Sequence, residues 1–344
     1  MTPSSLAVFS NGTNYGIKSD GLRYIWTAYH ICVMVSSLVG NSIVLLATIK
    51  YNALKLHKLI VSIIQHIAVC DLILSVTAVL PKVLALLADG WIFGNVLCHV
   101  MAYSMYYFNA VALLLICTLS TSKLLILKFP VRFRTLMTGA GHKICTGIWV
   151  TVLTINTPLM VLSAINGEII FDYRVYACKY GWYAEFWKWL RPAMVVLIIA
   201  VPNLIVVATI VPLLLYLLRA KRSAKNSGKT QRWRGIMTVF FTVTIYCISI
   251  LPYVAYTFIR KTRAAFVMDP HGYFENQFSR IVASFIFLNT LCNFYIYWLT
   301  IPSFRRFLWS RIQIIRNSVN TMLYQGNVNK LSLEDRRLNF KAFT

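Results

Sequence analysis

Residues 59–88 read LIVSIIQHIAVCDLILSVTAVLPKVLALLA, an apolar run whose only Asp, Glu, Lys or Arg residues are Asp71 and Lys82. About 20 mostly apolar residues are enough for a helix to cross a bilayer. The hydrophobic residues recur at helical spacing, and the run is far too long for one strand of an outer-membrane barrel. We therefore predict a transmembrane helix that holds a carboxylate near the middle of the membrane.

Six further stretches are comparably long and contain no Asp, Glu, Lys or Arg. They lie at residues 24–49, 90–122, 144–167, 192–218, 235–259 and 281–304. Only 13% of the chain is charged, against about 25% in an average soluble protein, and the mean hydropathy is +0.65. These values exclude the soluble, disordered and disulfide-scaffold classes. The sequence predicts an all-α membrane protein, a seven-transmembrane helix bundle followed by a short amphipathic eighth helix.

The distribution of charge predicts which side of the membrane each end of the chain occupies. With the N-terminus outside, 23 of the 34 Lys and Arg residues fall in the cytoplasmic loops and tail, and seven of the ten acidic residues fall outside. Because basic residues favour the cytoplasmic side, we predict a plasma-membrane protein with an extracellular N-terminus and a cytoplasmic C-terminus. The net charge of +24 then reflects topology and contact with anionic membrane lipids, and we expect no nucleic-acid binding.

The chain divides into four predicted parts. Residues 1–23 form an extracellular N-terminus with a glycosylation sequon at Asn11, a tripeptide that is also common by chance, and residues 24–301 form the bundle. Residues 302–316 place apolar side chains on one face and arginines largely on the other, which predicts an amphipathic helix on the inner membrane surface. We expect residues 317–344 to form a disordered cytoplasmic tail. No internal repeat of the kind found in many transporters is visible.

Short motifs inside the spans carry a family resemblance. They are, in chain order, GNSIV at 40–44, HIAVCDL at 66–72, WIFG at 91–94 followed by Cys98, LPY at 251–253, and NTLCNFYIY at 289–297. Together, in this order and spacing, they resemble the signatures of the rhodopsin-like (class A) G-protein-coupled receptors. The resemblance implies a receptor that binds an unknown extracellular ligand and activates a heterotrimeric G protein, with arrestin as a further cytoplasmic partner.

The resemblance also implies a polar core around Asp71. The other members of this core would be Asn41, Asn289, Thr290, Asn293 and Tyr297. A carboxylate in the middle of a bilayer is costly unless it is paired or hydrated, so Asp71 is a functional candidate by default. In the family such a cluster holds an allosteric sodium ion, although Ala112 stands where a serine ligand is common. The alternative is a protonated, hydrogen-bonded acid without an ion, and we expect no other cofactor or metal.

Two cysteines are expected to be paired. The resemblance implies a disulfide between Cys98, at the top of span three, and Cys178, in the second outer loop. We expect the other six cysteines to be apolar filler inside the spans.

For the ligand pocket, the resemblance implies a site between the outer halves of spans two, three, five, six and seven. The residues carried over by position are Met105, Tyr106, Asn109, Tyr253, Thr257 and Phe287. Lys82 lies one residue past Pro81, and we expect it to face the same outer cavity. Met105 replaces the aspartate of amine receptors, which argues against a monoamine ligand. Lys82 would attract an anionic ligand group. The alternative is that its long side chain reaches lipid headgroups or pairs with Asp89, Glu185 or Glu275.

Several departures from the family pattern lie at positions involved in signalling. Ser122, Lys123 and Leu124 replace the Asp-Arg-Tyr that faces the G protein, and lysine lacks the planar guanidinium of arginine. Phe294 replaces the proline of the last motif, and Arg232 stands where some receptors place a locking glutamate. These changes predict a rebuilt switch with raised basal activity. The alternatives are a decoy or arrestin-biased receptor and, with less support, a transporter or channel; no catalytic triad, carboxylate pair or phosphate loop indicates an enzyme.

Overall fold

In the computed structural model of the chain, the described residues are 20–51, 54, 56–129, 131, 133, 139–167, 169–180, 197, 200–222, 227–259 and 273–341. Within them the side chains are described except at 20, 217, 219–222, 227–235, 254, 257–259, 273–277 and 323–341. Most of the N-terminal segment that we predict to be extracellular, including Asn11, therefore lies outside the described residues, so its glycosylation stays a prediction.

The described chain is almost entirely helical. Its helices are α1 (Asp20–Ile49), α2 (Lys58–Leu87), α3 (Gly94–Lys128), α4 (Gly141–Ile165), α5 (Val201–Arg222), α6 (Ser227–Ile259), α7 (Tyr273–Phe285 and Leu288–Thr300) and α8 (Pro302–Lys341). Among these, α1 to α4 and the Ile236–Tyr253 part of α6 are long and apolar enough to cross a membrane alone. The two halves of α7 form a sixth span with a 42° bend, and Val201–Tyr216 of α5 is a shorter apolar helix. The all-α, seven-helix membrane bundle predicted from hydropathy is confirmed.

Helix α2 changes its pitch halfway along. Its α-helical parts Lys58–Leu74 and Leu80–Leu87 are joined by a π-helical turn, Ser75–Val79. Pro81 lies just beyond this turn, lacks an N–H and would clash with a regular helical carbonyl, so the wider turn accommodates it. One additional residue in the turn rotates the outer part of α2, including Lys82, by about 100° relative to a regular helix.

Helix α7 bends at Ile286–Phe287 and then continues without interruption through Phe294. The seventh span is therefore bent. Phe294 also determines how closely α7 approaches α1, because a Cβ added to Gly40 would lie 2.7 Å from the Phe294 Cβ and 3.0 Å from its Cγ. The first residue of the GNSIV motif thus makes room for the residue that replaces proline.

A two-stranded antiparallel hairpin crosses the top of α3. It comprises β1 (Ile169–Asp172) and β2 (Ala177–Tyr180), with Phe171 opposite Cys178. Cys178 is bonded to Cys98, so the predicted disulfide is confirmed and ties β2 to the first turns of α3.

Charged residues hold the hairpin together. Asp172 accepts hydrogen bonds from the backbone and guanidinium of Arg174 and forms an ion pair with Lys179. Burial alone would raise the pKa of Asp172, but the Lys179 charge and the Arg174 hydrogen bonds outweigh it and hold that pKa at about 2. The Arg280 guanidinium of α7 donates to the Arg174 carbonyl over 2.7 Å. The hairpin therefore connects α3 and α7 at one end of the bundle.

Helix α8 is longer than the predicted 302–316, because it continues to Lys341. The disorder expected for residues 317–344 stays a prediction, although the structure extends the helix through most of this stretch. The reason is local, since no proline follows Pro302 and Gly326 is the only glycine in this stretch. Ser303 donates to the Leu54 carbonyl over 3.1 Å and the Phe304 ring is fully buried, which attaches the start of α8 to the bundle.

Candidate functional site

The Asp71 carboxylate lies at the centre of the bundle and is 2% exposed. The Thr290 hydroxyl donates to one of its oxygens over 3.0 Å, and the Asn293 amide donates to the other over 2.7 Å. Both donors come from the second half of α7, so α2 and α7 are joined through this carboxylate. Of the predicted polar-core residues, these two are its direct partners.

A second layer of polar side chains connects α1 to the same point. The Asn41 amide donates to the Ser37 carbonyl and hydroxyl, at 3.1 and 3.2 Å. The Ser75 hydroxyl lies 2.7 Å from both the Ser37 hydroxyl and the Asp71 carbonyl oxygen. Asn41 thus reaches Asp71 through serines that sequence reasoning missed. Each serine lies one helical turn from a motif residue, a signal that the sequence contained.

A cavity of about 10 Å³ lies beside Asp71, with room for about one water-sized sphere. Asn109, Ala112 and Asn289 contribute to its wall. The buried side-chain oxygens of Asn41, Asn289 and Asn293, and the buried Tyr297 hydroxyl, have no hydrogen-bond partner in the described part of the chain. The core therefore has more acceptors than donors, as expected where a cation or a water molecule binds.

Lys82 lies near the outer end of α2 and is only 3% exposed. Its ammonium lies 5.4 Å from the centre of the Phe287 ring, and it has no hydrogen bond or ion pair with any described residue. Asp89, one of the alternative partners, instead pairs with Arg23 at 3.2 Å and accepts a hydrogen bond from Tyr176. The other two alternative partners, Glu185 and the side chain of Glu275, lie outside the described residues.

His30 of α1 belongs to the same region, although sequence reasoning did not select it. Its imidazole Nδ1 lies 2.7 Å from the Trp26 carbonyl, and its ring packs edge-on against Phe287 with centroids 5.9 Å apart. The Nε2 atom is buried without a partner among the described residues. A histidine inside an otherwise apolar span was the available signal.

The other predicted pocket residues fall in different places. Met105 packs with Phe287 in one apolar cluster, so it lies in the Lys82 region. Tyr106 contacts Tyr180 of the hairpin, with ring centroids 4.7 Å apart. Asn109 donates to the Met105 carbonyl and lines the small cavity below. Half-buried Tyr253 lies on α6, and the side chain of Thr257 lies outside the description.

The inner end of α3 carries the predicted G-protein-facing residues. Ser122 is buried, whereas Lys123 and Leu124 are half-buried. Lys123 makes no ion pair with a described residue, and the side chain of Arg232 is outside the description. Nearby, the Thr238 hydroxyl of α6 donates to the Thr300 hydroxyl of α7 over 2.8 Å, and both residues are buried. A neutral hydrogen bond therefore joins α6 and α7 near this end.

Comparison with known proteins gives consistent matches. Residues 40–297 match the family model for the 7 transmembrane receptor (rhodopsin family). The chain is 25% identical over 261 residues to G-protein coupled receptor 183-B of Danio rerio, covering 72% of this chain and 69% of that receptor. It is 25% identical over 240 residues to lysophosphatidic acid receptor 6 of Gallus gallus, covering 68% and 76%. It is 23% identical over 163 residues to cysteinyl leukotriene receptor 1 of Mus musculus, covering 46% and 45%.

The family match extends from the GNSIV motif in α1 to the last motif in α7, and thus over most of the chain. It includes the polar core around Asp71 and both cysteines of the disulfide. Proteins of this family are receptors and not enzymes. The chain therefore belongs to the rhodopsin family of seven-transmembrane G-protein-coupled receptors.

Proposed function

We propose that this protein is a plasma-membrane receptor that binds an extracellular lipid acid and activates a heterotrimeric G protein by rearranging its helices. The observation that carries the ligand class is Lys82, a buried ammonium without an anionic partner among the described residues. Two relatives support the same class through their names, which specify lysophosphatidic acid and a cysteinyl leukotriene as ligands. The orientation with the N-terminus outside is part of the proposal.

The surroundings of Lys82 suit an amphipathic ligand. A buried charge without a partner is unfavourable, so a bound oxyanion would stabilise both itself and the lysine. The Phe287 ring beside the ammonium belongs to an apolar cluster that also contains Val83 of α2 and Met101 of α3. These provide a surface against which the alkyl part of a lipid can pack.

The polar core would transmit ligand binding to the inner side. Asp71 joins α2 to α7, and the buried Tyr297 hydroxyl has no hydrogen-bond partner in the described region. A shift of α7 would break some hydrogen bonds. If the shift also gave this hydroxyl a partner, the new hydrogen bond would offset part of the free energy lost. Two arrangements of similar energy are what a ligand-driven switch requires.

We propose a sodium ion as an allosteric ligand of this core. Asp71 and Asn289 border the one-water cavity, and the Asn289 oxygen has no partner in the described part of the chain. Hard cations prefer such oxygen ligands. Ala112 provides no oxygen, so Asp71 and Asn289 would hold the ion together with water. The ion's charge would stabilise the ionised form of the buried carboxylate.

At the inner surface, Lys123 would contact the G protein, and its lack of a carboxylate partner in the described chain favours raised basal activity. A second candidate function is a decoy or arrestin-biased receptor. It is favoured by the Ser122-Lys123-Leu124 sequence, because a lysine cannot make the bidentate contacts of arginine. A transporter or channel has no comparable support.

The experiment is nucleotide exchange on purified G proteins by the receptor in nanodiscs, with 1-oleoyl lysophosphatidic acid and leukotriene D4 as probes. We expect at least one acid to increase exchange, and Lys82→Met to weaken that response at least tenfold. Lys50→Met, at the other end of the bundle, is the matched control and should respond like the wild type. An unchanged response in Lys82→Met would overturn the ligand assignment. Basal exchange equal to that of empty nanodiscs, with no response to either probe, would favour the decoy.

A further inference from the structure

His30 and Lys82 approach the same aromatic ring from different helices. The Lys82 ammonium lies 5.4 Å from the Phe287 centroid, and the His30 ring lies edge-on at 5.9 Å. They are close enough for the lysine charge to act on the imidazole. Both side chains are at most 3% exposed. Two nitrogen groups that bind anions thus lie together in an apolar region.

The hydrogen bond of His30 determines which of its nitrogen atoms is available. The Trp26 carbonyl, 2.7 Å from Nδ1, can only accept, so Nδ1 carries the hydrogen. In the neutral ring Nε2 is then an acceptor, and it is buried without a donor in the described part of the structure. The Trp26 indole N–H, on the same helix one turn away, is also buried without a described partner.

Within the described residues, the other titratable groups nearby form no hydrogen bond or ion pair with His30 or Lys82. The Tyr29 ring touches His30, but its hydroxyl donates to the Ser284 carbonyl over 2.9 Å. Cys292 is a neighbour of Tyr29. The carboxylate of Asp89 is engaged by Arg23 near the outer ends of α1 and α2. Within the described residues, no carboxylate forms an ion pair with His30 or Lys82.

One ligand group satisfies both side chains. We propose that His30 and Lys82 form a subsite for the acidic headgroup of the ligand, and that binding there takes up one proton. Lys82 donates to one oxyanion, while His30 either accepts from a protonated headgroup oxygen or, once protonated, donates to a second oxyanion. In either arrangement, the complex contains one proton more than the separate reactants, which are the receptor with neutral His30 and the fully ionised headgroup. This subsite deepens the proposed function and rests on it.

The proton uptake has a measurable consequence. A phosphate monoester carries close to two charges above its second pKa of about 6, so above pH 7 the extra proton must come from water. The affinity of the receptor for such a lipid then increases as the pH falls, by up to about tenfold per pH unit. If Lys82 alone bound the headgroup, replacing His30 would leave this pH dependence of the affinity unchanged.

The test measures equilibrium binding of radiolabelled 1-oleoyl lysophosphatidic acid to the full-length receptor in nanodiscs between pH 6.5 and 8.0. His30→Gln keeps a polar group of similar reach but does not titrate. His66→Gln is the matched control, because His66 contacts His142 at an exposed position between α2 and α4. His30→Asn serves as the second variant, and the thermal midpoint of each protein shows that it is folded.

We expect affinity to decrease with pH in the wild type and in His66→Gln, and this slope to be lost or strongly reduced in both His30 variants. An equal slope in wild type and His30 variants would overturn the subsite but leave the lipid-acid receptor standing. If folded wild-type receptor does not bind the probe, or binds neutral monooleoylglycerol equally well, the proposed function fails and the subsite fails with it.

Discussion

The contact between Gly40 and Phe294 offers a direct test of how α1 and α7 pack. An alanine at position 40 would place its Cβ 2.7 Å from one atom of Phe294 and 3.0 Å from another, both below van der Waals contact. The nearer atom is the Phe294 Cβ, which moves only if the α7 backbone moves. Overpacking of this kind costs about 1–3 kcal/mol.

Replacing glycine by alanine inside a helix also has a favourable part, about 1 kcal/mol from helix propensity. Gly147 of α4 separates the two effects, because a Cβ added there meets nothing within 4 Å. We therefore expect the Gly147→Ala substitution to be neutral or stabilising. The Gly40→Ala protein should be less stable than the Gly147→Ala protein by about 1–3 kcal/mol.

The assay is thermal unfolding of both variants and the wild type in the same detergent, followed by intrinsic fluorescence. The expected order of midpoints is Gly147→Ala at or above wild type, with Gly40→Ala lowest. Phe294→Gly combined with Gly40→Ala should bring the midpoint close to that of Phe294→Gly alone, because the clashing Cβ is gone. A Gly40→Ala midpoint equal to that of Gly147→Ala would refute the close approach of the two helices.

Two further predictions concern the charged groups of the core and the hairpin. Asp71→Asn keeps the size of the side chain but removes the charge and one acceptor oxygen, so we expect sodium chloride to raise the thermal midpoint of the wild type more than choline chloride does, and the two salts to act alike on the variant. A sodium effect that survives in the variant would exclude this site. For the hairpin, the pKa of Asp172 is lowered from 3.8 to about 2 in the folded protein, which corresponds to about 2 kcal/mol of stabilisation. Since the lowered pKa belongs to the folded state, this stabilisation is fully present above pH 4 and is lost as the pH falls towards 2. The difference in midpoint between wild type and Asp172→Asn should thus be constant from pH 5 to 8 and shrink below pH 4, whereas a difference that changes between pH 6 and 8 would contradict the assignment.

Much of the architecture could be predicted because every membrane span must be long and apolar enough to cross the hydrocarbon core. Apolar runs of sufficient length identify the spans whatever their neighbours are, and a charge inside such a run, as at Asp71, stands out. Local rules also explain the length of the last helix. The helix from Pro302 to Lys341 follows from helix-forming residues that a polar composition had suggested were disordered.

The candidate site was less predictable because its contacts join distant parts of the chain. Thr290 and Asp71 are 219 residues apart, and only the folded bundle shows that Thr290 and Asn293, rather than Asn41 or Asn289, reach the carboxylate. His30 was overlooked because nothing in α1 alone indicates that its ring meets Phe287.

The sequence by itself determined the number of spans, the depth of the buried carboxylate and the cysteines available to pair, since each depends on residue type and position along one segment. Only the tertiary structure decided which polar atoms are left without partners and how closely α1 approaches α7. Those properties depend on the relative rotation of helices, which the π-helical turn in α2 and the bend in α7 change without a sequence signal of comparable strength. Lys82 is conspicuous in the sequence, but its burial beside His30 and Phe287 is a result of packing.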